Sequence, residues 1–206
     1  MSRKIVIVGG VAGGATAAAR LRRLDEQAEI ILLERGPYIS FANCGLPYYL
    51  GRTIPNRQDL LLQTPESFSK RYRVDVRVQN EAVRIDRAGK QIEILDRRSG
   101  RTYRESYDFL ILSPGAEPFR PPIPGISSKR IFTLRTVPDV DAIDSFIQTS
   151  RPKRAVIVGG GYIGLEMAEN LRHRGLLTAV VELAPSVLPA AMDPEMAFYL
   201  QEHLQQ

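Results

Sequence analysis

The sequence predicts an α/β fold built from two parallel-sheet, three-layer units, the second of them incomplete. Two observations predict it. Residues Lys4–Glu34 and Arg154–Glu182 follow one plan: an apolar β-branched strand, a glycine-rich turn, a helix, and a second apolar strand ending in glutamate. That plan is a βαβ unit, and it occurs twice. The strands KIVIV, EIILLE, RAVIV and TAVVE are continuous Val/Ile/Leu-rich runs, the pattern expected of parallel strands buried on both faces.

In chain order, KIVIV leads through the turn GGVAGG into the helix ATAAARLRRL, and EIILLE follows. Arg73–Val78 and Glu81–Asp86 read as short strands, and Lys90–Leu95 with Arg101–Tyr103 read as a hairpin turning at Arg98-Ser99-Gly100. Phe109–Ser113 is another buried strand. Pro114, Pro118, Pro121, Pro122 and Pro124 then resist helix and strand alike and mark a crossing between domains, expected as 1–120 and 121–206. A helix over Val137–Thr149 precedes the second βαβ unit. A final helix starts with Asp193 as N-cap and Pro194 at its first position. A doubly wound nucleotide domain needs several parallel strands, so a unit with two is expected to belong to a longer protein.

Composition excludes several classes. With 44% hydrophobic and 25% charged residues in 206, the chain has the profile of a folded domain rather than a disordered one. No apolar run nears the roughly 20 residues that cross a bilayer, and MSRKIVIVGG lacks the apolar stretch of a signal peptide. No membrane partner and a cytoplasmic location are therefore expected. One cysteine rules out an intrachain disulfide, and one Cys with two His argues against a zinc site or other metal centre. The net charge of +5 comes from arginines scattered without a nucleic-acid-binding motif, which suits phosphate-bearing cofactors and predicts no nucleic acid partner.

Gly159, Gly161 and Gly164 make a full GxGxxG between strand and helix, enclosing Tyr162 and Ile163. The first glycine serves the tight turn, the second admits a pyrophosphate, and the third packs helix on strand. Glu182 ends the next strand where an acid meets ribose hydroxyls and repels a 2′-phosphate, which favours NADH over NADPH. In the first unit Gly9 and Gly14 hold the outer positions but Val11 occupies the middle one, with Gly10, Ala12 and Gly13 beside it and Glu34 at the matching place. A purely structural glycine turn is the alternative at both. Cys44 lies in SFANCGLPYYLG. A lone cysteine is commonly inert and buried, but one followed by a helix start is placed to be a reactive thiolate. Such a thiol forms a mixed disulfide or cycles through sulfenic acid.

The two glycine-rich units, SFANCGLPYY, YDFLILSPGAEP and GGGYIGLEMAENL, in this order, resemble the coenzyme A disulfide reductases of the pyridine nucleotide-disulfide oxidoreductase family, over essentially the whole chain. The related NADH oxidases and peroxidases usually carry Ser where Asn43 stands. The resemblance implies FAD at Gly9, Gly10, Val11, Ala12, Gly13, Gly14, Glu34, Arg35, Asn43, Val83, Ser113 and Gly115. It places NADH or NADPH at Gly159, Gly161, Tyr162, Ile163, Gly164, Glu166 and Glu182. It implies Cys44 as the catalytic thiol, and a coenzyme A pocket formed by Thr16, Arg20, Arg23, Ser40, Asn43 and Arg71. Independently, 16, 20 and 23 share one helical face; a solvated basic face is the alternative. A small-molecule disulfide or persulfide substrate follows, and a homodimer when full length through a C-terminal domain that this chain does not contain. Two alternatives stay open: an NADH oxidase or peroxidase using a cysteine sulfenate, and an inactive nucleotide-binding fragment.

Overall fold

A computed structural model describes residues 2–205. In chain order the elements are β1 (Lys4–Val8), α1 (Ala12–Leu24), β2 (Glu29–Glu34), α2 (Leu46–Leu50), α3 (Pro65–Tyr72), β3 (Asp75–Val78), β4 (Asn80–Asp86), β5 (Gln91–Asp96), β6 (Thr102–Ser106) and β7 (Phe109–Leu112). Then come α4 (Val137–Ser150), β8 (Arg154–Val158), α5 (Tyr162–His173), β9 (Leu177–Val181) and α6 (Pro194–Leu204). Short 3₁₀ turns cover Asn43–Gly45 and Arg57–Leu60. The chain divides into one unit of residues 1–42 and 61–119, and a second of 43–60 and 120–206. Residues 43–60 thus pack with the later part of the chain, where the sequence suggested a contiguous division at 120.

The first unit is a sandwich around a parallel sheet of order β3-β2-β1-β7. Alternation along the strands sorts the core into two faces. Ile5, Ile7, Ile30 and Leu32 point to one side and pack with Ala15, Ala18 and Ala19 of α1 and Phe68 of α3. Val6, Ile31 and Leu33 point to the other and meet Ile92 and Ile94 of β5. That second cover is an antiparallel sheet, β4-β5-β6, with a bulge between Ala82 and Arg84. The small side chains of α1 let it lie close on the strands. Arg22 is also buried there, and its guanidinium donates to the carbonyls of Tyr72, Arg73, Asp25 and Glu26 at 2.7–3.2 Å. It satisfies carbonyls that would otherwise be orphaned where α1 and α3 end. Helix α3, which the sequence reading passed over, opens with a reciprocal cap between Thr64 and Ser67. It ends at Arg73, whose φ of 50° stops the helix and delays β3 to Asp75.

In the second unit β8 and β9 pair in parallel, Arg154 opposite Leu177 through Val158 opposite Val181. The expectation of burial on both faces is corrected here. Val156, Val158, Leu177 and Val181 are all more than half exposed, because α5 covers one face and, among the described residues, no layer covers the other. The buried residues of α2, α4 and α5 include Leu46, Leu50, Val140, Ile143, Met167 and Leu171. Among them sits the Asp144 carboxylate, 6% exposed. It accepts two bonds from Arg52 Nη2 (2.8 and 2.9 Å), one from Arg174 Nη1 (2.8 Å) and one from Gln148 Nε2 (2.6 Å). Arg174 Nη1 also donates to the Leu50 carbonyl at 2.8 Å, and Arg57 pairs with Asp141 at 2.7 Å. Segment 43–60 is therefore fastened to α4 and α5 by charge.

Burial alone would push the Asp144 carboxyl up, but the hydrogen bonds and charges of Arg174 and Arg52 outweigh it and hold the pKa below the usual range. A depressed carboxylate pKa contributes stability above the unfolded value of about 4, and that contribution fades as pH falls through the folded value. Asp144→Ala, which strands two guanidinium groups, is expected to cost about 3 kcal/mol at pH 7. The cost should shrink as pH falls below about 4. Urea unfolding of the variant and parent at pH 7 and pH 3.5 checks both the size and the trend.

Candidate functional site

The two glycine-rich turns are built alike, each within its own unit. Gly9 and Gly159 take φ values of +98° and +106°, where a side chain is strained. Their N–H groups donate to Leu33 O and Val181 O, each at 2.8 Å. The glycines entering the helices cannot be replaced without clash: a Cβ on Gly14 would stand 1.8 Å from Gly9 O, and one on Gly164 2.0 Å from Gly159 O. Gly161, by contrast, has open space where its Cβ would be. Both α1 and α5 begin without a side-chain cap and with no acid in the first turn. Their first N–H groups and helix dipoles are thus left for an anion.

The glutamates at the strand ends clamp these turns. Glu34 accepts from Gly10 N through Oε2 (2.8 Å) and from Gly36 N through Oε1 (2.7 Å). Glu182 accepts from Gly160 N through Oε2 (2.6 Å) and from Ala184 N through Oε1 (2.9 Å). Bonds from the Ala184 and Gly160 amides hold the Glu182 carboxyl below its usual range, so it is an anion at neutral pH. Each carboxylate oxygen keeps a lone pair for a further donor such as a ribose hydroxyl. An uncapped helix start and a strand-end acid occur in both units, and the second adds the open middle glycine Gly161; these are parts that a dinucleotide requires, and the residues present fit one in each unit.

A further shared feature was invisible in the sequence. Ser40 and Leu188 both adopt positive φ (43° and 49°), and their N–H groups donate to Gly10 O and Gly160 O, each at 2.9 Å. No residue-type signal marks them, since neither is glycine. Ser40 therefore has a structural duty besides its expected place in a coenzyme A pocket.

The remaining expected residues fall as follows. Val11 is half-buried at the cap of α1, and Ala12 and Gly13 form its exposed start, with Ser113 Oγ 3.2 Å from a Cβ built on Gly13. Ser113 N donates to Val8 O at 2.8 Å, and Gly115 has φ 72°. Arg35 pairs with Glu117. Val83 is half exposed at the bulge of β4. Thr16, Arg20 and Arg23 are all exposed on α1, and exposed Arg71 stacks over the Tyr72 ring at 5.3 Å. Tyr162 and Ile163 are exposed at the start of α5. In the second unit Cys44 is exposed in the turn Asn43–Gly45, with Sγ 3.9 Å from Asn43 Oδ1. The turn runs into α2, where Tyr48 donates to Glu166 Oε1 at 3.2 Å. The Glu166 carboxylate holds the Tyr48 phenol above the ordinary tyrosine range, and the charge of Cys44 adds to this. Sequence reading missed Tyr48 because a tyrosine in an apolar segment reads as core.

Residues 3–206 match the sequence profile of the pyridine nucleotide-disulphide oxidoreductases. The chain belongs to this family. A coenzyme A disulfide reductase of Staphylococcus epidermidis is 45% identical over 173 residues, which is 84% of this chain and 39% of the relative. The crystal structure of reduced Bacillus anthracis CoADR-RHD superposes with a TM-score of 0.96 at 56% identity, over 100% of this chain and 37% of that one. A NAD-dependent persulfide reductase from A. fulgidus superposes at 0.93 with 36% identity, over 98% of this chain and 37% of that one. The chain thus spans about two fifths of the length of its curated family relatives. Among the described residues no helix is long and apolar enough to cross a membrane, and no cluster of His, Cys, Asp and Glu could hold a metal.

The exposure of Cys44 is directly testable. One thiol per chain is expected to react with a chromogenic disulfide in the absence of denaturant. A thiol that reacts only after unfolding would contradict the described turn.

Proposed function

We propose that this chain is the nucleotide-binding and thiol-bearing part of an FAD-dependent NAD(P)H oxidoreductase that reduces coenzyme A disulfide, or a coenzyme A persulfide, at Cys44. The observation that carries the reading is an exposed, solitary cysteine in a chain with two uncapped, acid-clamped dinucleotide turns. The relatives named coenzyme A disulfide reductase and persulfide reductase support it.

In this reading residues 1–120 contribute the FAD-binding part. The Gly9–Gly14 turn receives the pyrophosphate, and Glu34 takes ribose hydroxyls, with Arg35, Asn43, Val83, Ser113 and Gly115 nearby in function. Residues 121–206 contribute the NAD(P)H-binding part: the Gly159–Gly164 turn with Tyr162 and Ile163, Glu182 on the adenosine ribose and Glu166 on the nicotinamide. Bound FAD supplies the relay by which an electron pair from NAD(P)H reaches the thiol. The chain's own residues do the rest. The Cys44 thiolate attacks one sulfur of the substrate disulfide; that S–S bond breaks, one coenzyme A thiolate leaves and takes up a proton, and the other half stays on Cys44 as a mixed disulfide. Two electrons from NAD(P)H then cleave the mixed disulfide: the second coenzyme A leaves as a thiolate and takes up a proton, and Cys44 returns as the thiolate. Thr16, Arg20, Arg23 and Arg71 offer cationic and polar donors for coenzyme A phosphates, with Ser40 and Asn43 as further polar groups of the same proposed pocket. A reactive thiol of this kind suits the reducing cytoplasm, and a full-length homodimer is part of the proposal.

Full-length protein is expected to show a flavin spectrum that NADH bleaches and coenzyme A disulfide restores. Cys44→Ser should abolish restoration while leaving bleaching intact. Restoration by peroxide instead, through a Cys44 sulfenate, would move the protein to the oxidase and peroxidase branch; undiminished disulfide turnover in Cys44→Ser would end the reading. Glu182 predicts NADH as donor, since its anion opposes a 2′-phosphate. Glu182→Arg should shift the NADH-to-NADPH ratio of kcat/KM by about tenfold or more toward NADPH; an unchanged ratio would remove Glu182 from nucleotide choice.

A further inference from the structure

Tyr48 stands outside the roles assigned above, yet it bonds to Glu166 and follows Cys44 by four residues, and all three lie within the second unit. Cys44 sits in a turn that continues directly into α2, so Tyr48 follows the thiol by one helical turn. On its other side the Tyr48 hydroxyl is bonded to Glu166 at 3.2 Å. Glu166 belongs to α5, the helix whose N-terminal end carries the Gly159–Gly164 turn. The segment that bears Tyr48 has little freedom to absorb a change at that contact. Arg174 grips the Leu50 carbonyl and Asp144, Asp144 grips Arg52, and a Cβ on Gly51 would stand 2.0 Å from Asn170 Oδ1 on α5.

We infer that Tyr48 is a positioning residue that couples occupancy of the Gly159–Gly164 turn to the reactivity of Cys44 through its hydrogen bond to Glu166. The inference rests on the reading that NAD(P)H binds this turn. An ionised carboxylate only accepts hydrogen bonds, and Glu166 Oε1 already serves Tyr48. Amide or hydroxyl donors of a dinucleotide laid along α5 draw on the remaining lone pairs of that carboxylate and turn it toward the nucleotide. That rotation strains the bond from Tyr48, and the segment holding Cys44 loses a tether one helical turn away.

The test uses the full-length, FAD-loaded protein. Cys44 is alkylated with iodoacetamide, with and without saturating NAD⁺, and the rate is followed by peptide-resolved mass spectrometry. In the parent, NAD⁺ should change the rate by about fivefold. In Tyr48→Phe, which keeps the ring and removes the donor, the ratio should fall close to one. Glu166→Gln, which keeps an acceptor oxygen without its charge, should give an intermediate ratio, and it supplies the comparison if Tyr48→Phe fails to retain flavin. A parent ratio near one with NAD⁺ bound, or an equal ratio in parent and variants, would overturn the coupling. NAD⁺ binding is measured separately by flavin fluorescence, so that failure of NAD⁺ to bind at all counts against the nucleotide reading, and failure of coupling with NAD⁺ bound counts against Tyr48.

Discussion

The contact on which each nucleotide-binding unit depends is the approach of a helix to the carbonyl at the start of its glycine turn. Gly14 lies against Gly9 O and Gly164 against Gly159 O so closely that any β-carbon would overlap the oxygen. That approach brings the helix down onto the strands, and α1 completes it with Ala15, Ala18 and Ala19 on Ile5, Ile7, Ile30 and Leu32. It also aims the helix N-terminus over the turn, where unpaired N–H groups face outward. Packing and anion binding are therefore consequences of one steric fact. A methyl group at either glycine would disturb both together.

The strand-end glutamates add a second layer to the same design. In each unit one carboxylate spans the turn's second glycine and the residue two positions beyond the glutamate. The backbone N–H groups keep each acid oriented before any ligand arrives. An acid fixed in this way keeps lone pairs for a hydroxyl donor and carries a negative charge toward any further phosphate. Its structural and recognition duties do not compete, because a carboxylate oxygen can serve more than one donor.

Cys44 depends on a different kind of force. Its segment carries apolar anchors in Leu46 and Leu50, and polar attachments to α4 and α5 as well: Arg52 on Asp144, Arg57 on Asp141, Arg174 on the Leu50 carbonyl, and Tyr48 on Glu166. Hydrophobic burial can hold a segment near a surface with several nearly equivalent placements. Directional, charge-assisted bonds select one.

The sequence by itself determined the repeated βαβ plan, the glycines of the turns, the acids that follow them and the singular cysteine. These are local facts: strand, turn and helix preferences act within a few residues, and the glycine spacing reflects sterics inside one turn. The bounds of α1 and α5 were legible only approximately, because glycines at the helix starts read as turn until the helix is seen to include them. Only the tertiary structure decided that residues 43–60 pack with α4 and α5, that Ser40 and Leu188 play matching backbone roles, and that Asp144 gathers two arginines. Those contacts join residues up to 124 positions apart, as between Leu50 and Arg174. Nothing in the chemistry of a lone Asp, Tyr or Ser announces a partner at that distance. The fold supplies it, by closing a long loop whose entropic cost the sequence pattern does not display.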